Sequence, residues 1–254
     1  MLTLEGELRA AWNLGQFEPW FQPICRLGDG AVVGYEALIR WNHPQRGVLV
    51  PGDFLKIAED CGLIETIDWC MFELSCERLR RHDLADTFMT INVSALHLRH
   101  VDFDQRLIEL LERTGLPPSR LVVEVTEGAL LDNPERVRAT LERLRAAVIG
   151  AALDDFGTGY SSLSYLHSLP LRILKIDRAF VLELDKGANT SSTTVVAAVL
   201  ALARALDIDV VAEGIETEFQ YAALQAMGCD MGQGYWIGRP APITRWLASG
   251  PVGA

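Results

Sequence analysis

Eight short apolar runs punctuate this chain, at about 17–25, 31–38, 88–93, 120–125, 148–154, 171–176, 208–213 and 230–235. Each is short, apolar and closed by turn residues, the pattern of a buried strand. From the third onward, helical patterns separate them. Residues 103–114 place Leu107, Leu110 and Leu111 on one face, and 134–147 do the same with Val137, Leu141 and Leu144. Asn133-Pro134 ahead of the second is a start signal, with proline in the first turn. A further helix is expected over 64–81 around Ile67, Cys70, Met71 and Leu74. Strands alternating with helices pair in parallel, and eight of them close into a barrel, for which 254 residues is an ordinary length. Only Gly28-Asp29-Gly30 separates the first two strands, which therefore form a hairpin. The expected fold is α/β, a TIM-like (β/α)8 barrel with an irregular, antiparallel first strand, in one domain over 1–254.

The polar residues of these strands fall at equivalent places. TINV carries Asn92, VVEV reaches Glu124, AALDD ends in Asp154 and Asp155, RILKID carries Lys175, DVVAE ends in Glu213 and VVGYE in Glu36. Any one of them alone reads as a cap, a rim charge or a solvated head. Six at or near the C-terminal ends of six strands converge on one face of a barrel, where such folds build their sites.

Asp154 and Asp155 sharpen the point. Two like charges ~4 Å apart cost about 1 kcal/mol in water and about 4 at an effective dielectric near 20. A divalent cation between them turns that repulsion into attraction, although Asp-Asp before glycine is also a common turn or helix cap.

Composition closes off other classes. Five cysteines without a CxxC pair read as reduced, mostly buried thiols of a cytoplasmic protein rather than a zinc cluster. A net charge of −11 argues against a DNA or RNA duplex as partner, yet leaves room for a small phosphate ligand held by local cations. The first twenty residues lack a signal-peptide core, and the apolar stretch 195–206 is too short to span a membrane and contains Arg204. His43, His82, His97, His100 and His167 are expected on the surface.

FQPI (21–24), EALIRW (36–41), PGDFLKIAED (51–60), NVS (92–94), EVTE (124–127), DDFGTGYSSLSYL (154–166), LKIDRAFV (174–181), VAEGIET (211–217) and GQGYWIGRP (232–240) together resemble, in order, the EAL-domain phosphodiesterases of bacterial cyclic di-GMP signalling. The resemblance runs over about 4–247. It implies hydrolysis of cyclic di-GMP to linear 5′-phosphorylated diguanylate (pGpG) with two Mg²⁺ or Mn²⁺ ions. Glu36, Asn92, Glu124 and Asp154 would hold one ion, and Asp154, Asp155 and Glu213 the other. Hard cations of this kind take carboxylate and amide oxygens, as these residues offer. Lys175 resembles the catalytic lysine, orienting or helping to deprotonate the attacking water, and Glu213 is a ligand first and a proton acceptor second.

By the same resemblance Arg40 contacts phosphate, and Gln22, Leu38 and Gln233 contact substrate. Pro51 either lines the base pocket or simply opens a helix. Glu127 anchors the glycine-rich loop 157–166, which also shapes a homodimer contact, or is a glutamate at a helix N-terminus, and Glu216 serves that loop or caps a helix. Arg172, Ala179, Asp207 and Gly238-Arg239 depart from the family pattern, none of them at a ligand or lysine position. Two rivals are a catalytically silent cyclic di-GMP receptor and a Schiff-base aldolase using Lys175, the latter calling for an apolar pocket rather than a ring of acids. The chain has no room for a sensory or cyclase module, so it is free-standing or excised from a longer protein.

Overall fold

The computed structural model describes residues 4–82, 84, 87–157, 166–186 and 191–247. Among the described residues there are nine strands: β1 Phe17–Arg26, β2 Val32–His43, β3 Gly47–Leu49, β4 Phe88–Asn92, β5 Leu121–Thr126, β6 Gly150–Phe156, β7 Ile173–Ile176, β8 Asp209–Ala212 and β9 Met231–Gly232. Hydrogen bonding runs β1-β9-β8-β7-β6-β5-β4-β2, and β1 also pairs with β2, so eight strands close on themselves. β1 is antiparallel to both neighbours, turning back into β2 over residues 27–31, whereas β2 and β4 through β9 pair in parallel. β3 lies outside the ring on β2, where β2 runs on past the barrel. Helices Ile64–Arg81, Phe103–Thr114, Pro134–Ala146 and Ser191–Ala205 stand where 3.6-residue spacing of apolar side chains predicts them.

Period-two alternation sorts each barrel strand into an outward and an inward set. Outward side chains such as Val123, Val125, Leu153 and Leu174 pack under the helices in the main core. Inward ones form two storeys. The lower is apolar: Ile24, Phe88, Val122, Ala152, Ile173, Val211 and Met231 form one buried cluster. Gly34 belongs to this floor because a Cβ there would meet the Phe88 ring at 2.7 Å. The upper storey lies two residues further along: 122 leads to Glu124, 152 to Asp154, 173 to Lys175, 211 to Glu213 and 231 to Gln233. Polar groups therefore sit directly on a sealed apolar base.

Two expectations need correction. His43 and His97 are buried at 4% and 1% exposure rather than on the surface. His43 closes the turn after β2, accepting at Nδ1 from the Gln45 and Arg46 N–H groups. His97 sits among Trp69, Phe72 and Phe103 with Nε2 3.0 Å from Asp68 Oδ2. Both rings find polar partners inside, which makes burial tolerable. Glu36, in turn, is mid-strand rather than near a strand end, since β2 continues to His43. No helix among the described residues is long and apolar enough to cross a membrane.

Candidate active site

At the upper storey four carboxylates surround one ammonium. Lys175 Nζ lies 2.6 Å from Glu213 Oε1, 2.9 Å from Glu124 Oε1, 3.5 Å from Asp154 Oδ1 and 3.6 Å from Glu36 Oε2. These acids come from β2, β5, β6 and the residue after β8, so only barrel closure brings them together. Asn92, at the end of β4, donates from Nδ2 to Glu36 Oε1 at 2.9 Å. Gln233 donates from Nε2 to Glu36 Oε2 and, at 3.1 Å, to Gln22 Oε1, fastening the antiparallel seam where Gln22 pairs with Glu36.

The charges in this space are strongly displaced. Burial opposes a charged Lys175, but Glu124, Glu213, Glu36 and Asp154 outweigh it and push its pKa well above the usual lysine range. Burial, reinforced by Glu36, pushes Glu124 well above the ordinary carboxylate range. Glu213 is pushed up to about 7 by burial, against the pull of Lys175. Burial works against charge on Glu36 too, yet Lys175, Gln233 and Asn92 together hold it below the usual value. One cation does not balance four acids, and Glu124 Oε2 is buried without a hydrogen-bond partner. The donors are oxygens throughout, the chemistry that Mg²⁺ and Mn²⁺ prefer. Among the described residues no three such side chains stand close enough to cradle an ion as they are arranged around the ammonium.

Two adjacent side chains of a regular strand point to opposite faces, which would keep Asp155 away from this mouth. Here the β6–β7 register breaks between Leu153 and Phe156, and Asp155 adopts φ +57°. Such a bulge re-aims a side chain. Partial burial, with Asp154 and Asp177 nearby, raises the Asp155 carboxyl above its ordinary range.

Leu38 and Pro51 line a cavity of about 310 Å³ beside the cage, and Pro51 also opens the helix Pro51–Asp60. Arg40 is buried on the same face of β2 as Glu36 and Leu38, its guanidinium 5.3 Å from the Trp20 ring and Nη1 donating to the Ile39 carbonyl. Glu127 begins a short helix, Glu127–Asp132, and is buried. The loop it is expected to anchor lies, over 158–165, outside the described residues. Glu216 precedes the helix Glu218–Ala226, whose N-cap is Thr217, and accepts from Arg178 at 2.6 Å.

The expected site residues omit Asp68 and Arg178. Asp68 lines the cavity with Leu38 and Pro51; a lone acid on a helix carries no sequence signal for that. Arg178 lines the cleft over the cage, and its place directly after Lys175-Ile176-Asp177 was the available sign.

The EAL domain family profile matches residues 5–240. The chain is 40% identical over 251 residues to the bifunctional diguanylate cyclase/cyclic di-GMP phosphodiesterase MucR of Pseudomonas aeruginosa, covering 98% of this chain and 36% of that protein. It is also 40% identical over 245 residues to the cyclic di-GMP phosphodiesterase NbdA of the same organism, covering 95% and 31%. Among solved structures, a Pseudomonas aeruginosa MucR phosphodiesterase in complex with c-di-GMP superposes with a TM-score of 0.91 at 40% identity, covering 96% of this chain and all of that one. The chain thus spans about a third of the length of these curated relatives. A profile match over nearly the whole barrel, with the motif residues Glu36, Asn92, Glu124, Asp154 and Lys175 meeting at one mouth, makes the chain a member of the EAL domain family.

Proposed function

We propose that this chain is a metal-dependent phosphodiesterase that hydrolyses cyclic di-GMP to pGpG. The observation that carries the reading is the cage of four acids from four strands around the buried Lys175, set over a sealed apolar floor. Its ring of acids and the unpartnered Glu124 Oε2 suit added cations. Following the family resemblance, Glu36, Asn92, Glu124 and Asp154 would hold one Mg²⁺ or Mn²⁺, and Asp154, Asp155 and Glu213 a second. Bound ions of this kind polarise a phosphoryl oxygen and lower the pKa of water toward about 7.

The chain's own groups supply the rest. Lys175, held between its acids, is placed to orient the attacking water or help deprotonate it. It also offsets charge developing on the phosphorus oxygens. Glu213, with its raised pKa, is a ligand first and a resting place for the released proton second. Gln22 and Gln233 brace Glu36 and offer amide groups toward substrate. Arg40, a planar fork lying over the Trp20 ring, suits a phosphodiester. Part of this proposal is a cytoplasmic homodimer, either free-standing or joined to a sensory or cyclase module in a longer protein, and sedimentation velocity tests the dimer.

The decisive experiment is chromatography of cyclic di-GMP incubated with the purified protein. A pGpG peak should form with Mg²⁺ or Mn²⁺, vanish with EDTA or Ca²⁺, and be absent for Glu36→Ala and Asp154→Ala. Tight binding without product under Mg²⁺ or Mn²⁺ would instead establish a silent receptor.

A further inference from the structure

The cleft above the cage, about 240 Å³, is walled partly by Arg178, Gly214, Glu216 and Tyr235. Among its described lining residues Arg178 is the one cation, since Lys175 lies beneath, 1% exposed and ringed by acids. The arginine is not loosely placed. Its stem lies against Gly214, where a Cβ would come within 2.1 Å of Arg178 Cγ, and Gly214 has φ +70°. The residue after Glu213 is therefore shaped as a seat for this side chain. Nη2 donates to Glu216 Oε1 at 2.6 Å. Glu216 is held in turn through its N–H to Gln220 Oε1 at 2.7 Å, and Gln220 Nε2 donates to Asp185 Oδ2 at 2.8 Å. An exposed ion pair contributes at most about 1 kcal/mol to stability, which does not account for a built seat. A guanidinium has five N–H donors, and the Arg178 side chain is 55% exposed with one pairing described.

We infer that Arg178 is a substrate-contact residue, seated by Gly214 and aimed by Glu216, that receives the phosphate of the cyclic dinucleotide which is not being cut. This rests on the cyclic-diester reading. The ligand carries two phosphodiesters on opposite sides of its ring. The one to be cut lies over the cage, and the other reaches the mouth, where a cation is needed to offset the acidic wall. Arg40 points to the Ile39 carbonyl and Trp20, whereas Arg178, paired through Nη2 to Glu216, keeps the rest of its fork exposed over the cleft.

The test compares steady-state kinetics with Mn²⁺ on cyclic di-GMP and on bis(p-nitrophenyl) phosphate, a diester without a second phosphate. Arg178→Ala should raise KM for cyclic di-GMP roughly tenfold with kcat within about threefold, and leave the small diester unaffected. Arg178→Lys should recover part of the loss. An unchanged KM for cyclic di-GMP, or equal losses on both substrates, overturns the assignment. If the alanine variant melts early, Arg178→Lys and Glu216→Gln carry the same comparison. A wild type that binds cyclic di-GMP without cutting it defeats the phosphodiesterase reading alone. Calorimetry should then still show about tenfold weaker binding for Arg178→Ala, and equal binding would overturn the inference.

Discussion

Lys175 shows how far one side chain depends on its surroundings. It is held by Glu36, Glu124, Asp154 and Glu213, and removing it leaves those acids facing each other in a buried space. Lys175→Met should abolish detectable pGpG formation, a loss of at least about 10³-fold. In EDTA it should also lower the unfolding free energy measured in urea by about 3–5 kcal/mol, the usual cost of stripping one partner from a buried charge cluster. Carboxylates and lysine at strand ends were legible because a barrel gives such positions one destination. Asp68 and His97 were not, because each acquires meaning from the other, distant in sequence, and Arg178 was signalled only by its place after Lys175-Ile176-Asp177, its setting coming from Gly214 and Glu216.

Single elements carry the local geometry. Helix boundaries at 64–81 and 103–114 were readable from apolar spacing, because those helices each bury one stripe on the barrel. The length of β2 was not: its extension to His43 is set by pairing with β1 and β3, which no local pattern announces. The departure at Asp207 is explained by its φ of +57°, just before β8, a conformation that glycine adopts without strain. Asp207→Gly should therefore stabilise by about 0.5–1 kcal/mol, read as a higher urea midpoint with unchanged turnover. Gly238, where serine is frequent in the family, is likewise fixed by packing: a Cβ would meet the Trp246 ring at 2.6 Å. The opposite change at Gly34 should harm. Gly34→Val drives a branched side chain into Phe88 and should cost about 1–3 kcal/mol by the same measurement.

For the whole molecule, closing the ring matters most, since acids scattered from Glu36 to Glu213 share a site only in the folded barrel. A cation that binds this assembled set and not the unfolded chain raises stability by mass action. Mn²⁺ or Mg²⁺ at about 100 times its dissociation constant should add about 2.7 kcal/mol. For a chain of this size that is a melting temperature higher by roughly 5–10 °C in a thermal scan. EDTA should reverse it, and Asp154→Ala should largely remove it. The apolar floor has a further consequence for traffic. Among the described residues, Phe88, Val122, Ile173 and their neighbours fill the cylinder beneath the cage as a buried apolar cluster, so the cleft above it is the described way in. Whatever enters must turn round and leave by the same doorway, so a neighbouring domain that shades that one opening would throttle arrival and departure together.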